Sequence, residues 1–359
     1  MSSNVYYISA AINDGEPAIS AQARRLFQEA GFASCFKRND FTAVKVHVGE
    51  ASNTTYIKAP CLQGLVDELV ALKTKPFVTD TSTLYTGRRH NAIDHTVLAI
   101  ERGFSVEGLG IPFIAPDGLY GTNETAVAIP GELDQEVLIA DDIVRCQSIL
   151  SIAHVTGHCA ACVGATIKTL GMGCSSRKGK MRQHASLKPQ IKKGKCTRCG
   201  ECYRHCPADA ITLDDVQAHI DQDKCIGCAE CVAVCRFDAV SYDWQQESEI
   251  LQKSVAEHAL GALKGKEGRA VFFNFAISMT KDCDCFGQAD MPRMVDDIGI
   301  LASTDPVAVD RAAIDLVEQR GGKAVPALIG NKKLDWHHQI EHAVKIGLGT
   351  AEYELIEIT

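Results

Sequence analysis

The chain lacks the marks of several large protein classes, and each absence narrows what its 359 residues can be. No apolar run approaches the roughly 18 residues of a membrane-spanning helix, so no transmembrane segment is expected. The N-terminus, MSSNVYYISAAINDGEPAIS, has neither a charged n-region nor an apolar h-region, which argues against export. Positive charge is not in surplus: the formal net charge is −8, which argues against general nucleic-acid binding. Neither G-x-G-x-x-G nor a Walker A run occurs, so a nucleotide is not implied. With 46% hydrophobic and 23% charged residues the composition is that of an ordinary globular chain. Its length suits one large or two ordinary domains, and a soluble cytoplasmic protein is expected.

Cysteine, by contrast, is plentiful, with 16 in the chain. In a cytoplasmic protein they are expected to be reduced or bound to metal. Eight fall in two copies of C-x2-C-x2-C-x3-C: Cys196, Cys199, Cys202, Cys206 and Cys225, Cys228, Cys231, Cys235. This is the spacing by which bacterial-type ferredoxins hold [4Fe–4S] clusters, three thiolates from one short loop and the fourth directed to the neighbouring cluster. The crossed pattern predicts Cys196, Cys199, Cys202 and Cys235 for one cluster, and Cys206, Cys225, Cys228 and Cys231 for the other. Zinc sites instead use paired C-x2-C arms separated by a dozen or more residues. The two copies also align beyond their cysteines, CTRCGECYRHCPADAIT over CIGCAECVAVCRFDAVS, as an internal duplication does. Pro207 follows the first fourth cysteine as the ferredoxin pattern expects, whereas Arg236 stands at the second.

Around this segment, residues 189–244, the chain alternates strand and helix. Strands are predicted at 42–48, 76–79, 111–115 and 148–153, with helices at 18–30, 60–72 and 91–102 between them. Beyond the segment come a helix at 249–263, a strand at 270–275 and helices at 306–319 and 336–346. The expected fold is therefore α/β, a mixed or mostly parallel sheet with helices on both faces, interrupted by a small α+β ferredoxin-type domain. Neither flank is complete alone. Residues 1–188 and 245–359 are thus expected to form one discontinuous α/β domain, with 189–244 inserted in it.

Open α/β sheets bind ligands past the carboxyl ends of their strands, and those ends are polar here. Lys45 and His47 lie on the first strand, Asp80 follows the second, Asp117 follows PFIA, His154 follows ILSIA, and Asn274 sits in VFFNFA. The stretch SIAHVTGHCAACVGATIKTLGMGCSSRKGK supplies His154, His158, Cys159, Cys162 and Cys174, then a Gly-rich basic loop, 171–180. With Lys168, Arg177, Lys178 and Lys180 this loop is suited to a small anionic substrate. Near the end, SMTKDCDCFG interleaves Cys283 and Cys285 with Asp282 and Asp284. A C-x-C pair can ligate one metal. With His154 and His158 it makes a candidate third metal, cluster or flavin site, to which Cys159, Cys162 and Cys174 are further thiols. Cys35, Cys61 and Cys146 read as small buried hydrophobes. The stretch 177–198 carries only basic charges, either a solvated face or a surface for an anion or an acidic partner.

Taken together, FVTDTSTLYTGRRHNAIDH, KTLGMGCSSRKGK, the tandem cysteine runs and DCDCFG resemble the DUF362 family with an inserted 4Fe–4S ferredoxin domain. The family reads KNLGMG where this chain has Lys168, Thr169, Leu170, Gly171, Met172 and Gly173, so any role of that amide is lost. The resemblance implies cluster binding by the eight ferredoxin cysteines and implies no catalytic assignment. The functional expectation is an iron–sulfur electron-transfer protein that passes low-potential electrons through two [4Fe–4S] clusters. The recipient is a redox partner protein or a site in the α/β domain where His154, His158, Asp80 and Lys168 are the catalytic candidates. The alternatives are a ferredoxin-linked reductase built on the third site, or a metal or cluster carrier.

Overall fold

A computed structural model describes residues 2–184, 189–225, 230–241, 248–285 and 287–359. Eight strands form the central sheet: β1 (Ser3–Ser9), β2 (Phe41–Val46), β3 (Lys75–Thr79), β4 (Phe113–Ile114), β5 (Ser148–His154), β6 (Ala270–Ala276), β7 (Gly299–Ser303) and β8 (Tyr353–Glu357). Their order is β8-β1-β7-β6-β5-β2-β3-β4. From β6 to β4 every pairing is parallel, β7 is antiparallel to both its neighbours, and β8 lies parallel to β1. The sheet is mixed, mostly parallel, and drawn from both flanks of 189–244.

Successive side chains of a strand point to opposite faces, and here they sort into two cores. Ala43, Phe77, Ile149 and Phe272 pack on one side with the helices Ser248–Leu263 and Pro306–Gly321. Val44, Val78, Leu150 and Phe273 pack on the other with Glu16–Glu29 and Gln63–Ala71. Because both faces are covered, β5 and β6 read as near-continuous apolar runs and lie almost wholly buried. Local chemistry sets the helix starts. The Asn91 side chain accepts from Asp94 N–H, and Asp305 accepts from the N–H groups of Val307 and Ala308 ahead of Pro306.

The segment 189–244 is built differently. Two-residue strands Gln190–Ile191 and Val240–Ser241 pair antiparallel, so the chain leaves and rejoins the α/β part at adjacent points. Ile211–Leu213 pairs with Ala218–Ile220, and two short helices, Glu201–Arg204 and Glu230–Val234, carry cysteines. Their small apolar cluster contains Cys202, Ile211, Ala218, Cys231, Val232 and Val240. It also contains Leu84 and Met181, which come from the α/β part. Lys178 pairs with Glu230 at 2.7 Å, and Arg177 donates to the Val232 carbonyl at 3.3 Å, so the helix Arg177–Gln183 is the platform beneath the segment.

Candidate active site

A cavity of about 560 Å³ opens at the carboxyl ends of β2, β3 and β5. It gathers Lys45, His47, Asp80, His154, His158, Cys159, Lys168, Lys180, Cys283 and Cys285, residues that the sequence spreads over some 240 positions. The strand ends explain the gathering: parallel strands deliver their following residues to one side of the sheet.

Asp80, directly after β3, is the anionic centre. Lys45 Nζ donates to it at 2.8 Å and Arg89 Nη1 at 3.2 Å, all three side chains being buried. Burial alone would raise the carboxyl pKa. Lys45, with His95, His47 and Arg89, overrules it and holds the group well below the usual range. Asp80 therefore stays ionised and organises cations. Arg89 continues the network to Glu50 and to the Tyr85 hydroxyl. Neither Glu50 nor Arg89 carries a local sequence signal. Arg88, its neighbour, pairs on the surface with Glu101, and only the turn decides which arginine faces inward.

His154, the last residue of β5, meets Asp284 Oδ2 at 2.7 Å through Nδ1 and the Ile277 carbonyl at 2.9 Å through Nε2. Both partners are acceptors, so both ring nitrogens carry protons. Burial disfavours the charge, but Asp284 outweighs it and raises the pKa. With both nitrogens engaged, His154 anchors Asp284. The atoms that converge within 4.8 Å of one another belong to His158, Cys283 and Cys285.

His158 differs in tautomer. Its Nδ1 accepts from the backbone N–H groups of Ala160 (3.1 Å) and Ala161 (2.8 Å), so the proton of the neutral ring sits on Nε2. Burial, then the charges of Lys168 and His184, holds its pKa well below the ordinary value. His47 behaves alike: Nδ1 accepts from Gly49 N–H at 2.9 Å, and burial and Arg89 keep the ring neutral.

Two expectations about cysteines are corrected. Cys283 and Cys285 are joined to each other, not reduced, because the turn between them brings their Cα atoms to 5.4 Å, within the ordinary disulfide range. Cys162 and Cys174 do not line the cavity. Both are fully buried, and burial pushes each thiol up to about 12, which leaves them inert packing groups.

The Gly-rich loop is also corrected. A Cβ at Gly171 would collide with the Val255 carbonyl of the neighbouring helix, and one at Gly173 would displace the Lys45 ammonium. These glycines permit close packing. The helix Thr166–Gly171 ends there, and Ser176 starts the next by accepting from Gly179 N–H. Arg177 turns away to His90 and Val232, and Lys178 pairs with Glu124 and Glu230, which leaves Lys168 and Lys180 at the cavity. Within the basic stretch 177–198, Lys192 and Lys195 are likewise satisfied internally by Asp238.

In the segment, Cys196, Cys199, Cys202 and Cys235 line one small pocket together with Gly200, Ala218 and Val240. Their sulfurs are unpaired thiols. Ala218 N–H points to Cys196 Sγ at 3.4 Å and Ala210 N–H to Cys206 Sγ at 3.3 Å. Burial foremost pushes Cys202 up to about 11, and the nearby Cys235, Cys196 and Cys199 add to the shift. Such a crowd of thiols is a donor set that a cation relieves. Cys206 and Cys225 are also free, Cys231 is buried in the segment's apolar cluster, and Cys228 lies outside the described residues.

Sheet and cavity together define the class, an α/β protein with a pocket at its parallel strand ends. The chain belongs to the family described as Domain of unknown function (DUF362), whose model matches residues 42–315. No curated protein matches it. Among solved structures it is similar to the lactate racemase apoprotein from Thermoanaerobacterium thermosaccharolyticum. That match has 11% identity and a TM-score of 0.41, and covers 77% of this chain and 51% of that one. A protein from Thermotoga maritima is similar at 10% identity and a TM-score of 0.43, over 86% of this chain and 59% of that one. Among the described residues no helix is long and apolar enough to cross a membrane.

Proposed function

We propose that this chain is an iron–sulfur electron-transfer protein. Residues 189–244 are its inserted ferredoxin-type domain, and 1–188 with 245–359 are the α/β domain that docks it to an electron acceptor. The observation that carries the reading is the convergence of Cys196, Cys199, Cys202 and Cys235 on one pocket, since Cys235 is brought in from the second repeat. When bound, two [4Fe–4S] clusters supply one-electron carriers of low potential. The backbone N–H groups of Ala210 and Ala218 stabilise negative charge on Cys206 and Cys196. Leu84 belongs both to the apolar cluster of the cysteine segment, which holds Cys202 and Cys231, and to the wall of the α/β cavity, a pocket fit for an acceptor. The free thiols of Cys196, Cys199, Cys202, Cys206, Cys225 and Cys235 suit a reducing compartment, the cytoplasm.

The test is iron and acid-labile sulfide counted per chain after oxygen-free purification. About eight of each are expected from two cubanes. A count near zero, or zinc in their place, overturns the reading. Cys202→Ala should remove one cluster's worth of iron, and an unchanged count would sink the ligand assignment.

The trio His158, Cys283 and Cys285 favours a second reading, a reductase with a third metal in the cavity. It requires the Cys283–Cys285 pair in its reduced form and His158 turned to present a lone pair. If dithiol-reduced protein and its Cys283→Ser, Cys285→Ser double variant hold the same metal, that site fails.

A further inference from the structure

The charged groups of the cavity are mostly committed to one another. Lys45 and Arg89 are committed to Asp80, and Arg89 also to Glu50. Lys180 donates to the Ser175 carbonyl at 2.7 Å and to the Thr81 hydroxyl. His154 is committed to Asp284 and Ile277, and Asp284 also accepts from Thr55 at 2.9 Å. Both carboxylates that line the cavity are therefore spent.

What remains of the charged side chains and of His158 and His47 is donors, beside the Thr156 and Thr169 hydroxyls, which can donate or accept. Among the described residues Lys168 Nζ has no hydrogen-bond or ion-pair partner, although its side chain stands in the cavity wall. His158 and His47 are each locked by backbone N–H groups into the tautomer with the proton on Nε2, so each offers one N–H and no acceptor. Around them the wall is apolar: Leu84, Ala161, Ala165, Met172, Leu251 and Val255. A site with unspent donors and no unspent carboxylate rejects cations and ammonium groups, which would meet like charge and unpaired N–H. It suits a ligand whose polar end only accepts.

We infer that the cavity binds a small carboxylate with an apolar body, its charge on Lys168 Nζ, its oxygens within reach of the His158 and His47 N–H groups, and its body against the aliphatic wall. A carboxylate is acceptor-only, and its hydrogen bond with an ammonium is of the strong charge-assisted kind. A volume of about 560 Å³ leaves room for a body well beyond acetate. Burial lowers Lys168 to about 8, so it is still largely protonated at neutral pH and loses its hold on an anion above that. The inference concerns binding alone and is independent of the proposed electron transfer, since nothing in it requires the carboxylate to be reduced.

The experiment is trace acetylation of the intact protein with acetic anhydride, each lysine quantified by peptide mass spectrometry. The probes are hexanoate and 4-phenylbutyrate, with 4-phenylbutyramide as the uncharged control. Lys168 is expected to acetylate with a midpoint near pH 8. Protection by one of the carboxylates of about tenfold, with little from the amide, is expected for a charge-assisted contact. Calorimetric titration of Lys168→Met should show the same loss, while Lys178→Met should bind as the parent does. If neither carboxylate protects Lys168, or the amide protects it equally, the inference is overturned, and this holds whether or not Lys168→Met folds. Iron counting separates the two ideas. Protection without iron removes only the electron-transfer reading, and eight irons without protection removes only the carboxylate.

Discussion

The α/β part and the segment 189–244 reach order by different means. The sheet is buried between two large apolar cores, each fed by alternate residues of the same strands. The segment has strands of two or three residues and one small apolar cluster to which its own cysteines contribute. Below about 70–80 residues a single hydrophobic core rarely supplies more than about 3–5 kcal/mol, and a metal that binds only the folded form adds its binding energy to folding. The sheet should therefore outlast the loss of any cluster, and the segment should not.

Stripping any metal the segment holds, with a chelator and an oxidant, is the severest test of that contrast. Hydrogen exchange should rise across 189–225 and 230–241 while β5 and β6 keep their protection. Loss of protection in both parts together would show that they fold as one unit. A smaller but still large effect is expected within the sheet from Asp80→Asn, which leaves Lys45 and Arg89 buried without their shared anion. The cost should be about 3–5 kcal/mol, read from denaturant midpoints, with cluster content unchanged. Next comes Gly171→Ala. Its methyl has no room beside the Val255 carbonyl, so about 1–3 kcal/mol should be lost by the same measurement.

The mildest change lies in the segment. Asp214 accepts from the backbone N–H groups of Val216 and Gln217 and from His219, and these bonds hold its carboxyl at about 2. A carboxyl depressed in the fold stabilises above its unfolded pKa, near 4, and that contribution fades as pH falls toward 2. Asp214→Asn should loosen the Ile211–Leu213 hairpin slightly at neutral pH and make less difference at pH 2. Exchange rates of that hairpin across the range would check it, and an equal effect at both pH values would refute it.

Much of the fold was legible because periodicity reports burial. The run at 148–153 is apolar throughout and is the buried strand β5. The helix expected at 306–319 runs Pro306–Gly321 from an Asp305 cap that the sequence spells out. The strands β1, β7 and β8 were not legible. SNVYYIS has no clean alternation and runs on into the apolar Ala10 and Ala11, YELIE alternates weakly at an exposed edge, and β7 is defined chiefly by its antiparallel partners. At the site, the rule of strand ends found Lys45, His47, Asp80 and His154. It could not separate Arg89 from Arg88, nor see that Arg177 and Lys178 turn away from the cavity.

What the sequence determined by itself is whatever depends on spacing along the chain: the tandem cysteine runs, the alternation of strand and helix, the caps. Spacing is a local property, and ligand loops and helix turns are local objects. Only the tertiary structure decided which charges are already neutralised. Asp80 meets Lys45 from the neighbouring strand and Arg89 from the loop that follows it, Asp284 meets His154 across 130 positions, and among the described residues Lys168 is left without a partner. An unpaired donor is the sum of every contact around it, and no stretch of sequence contains that sum.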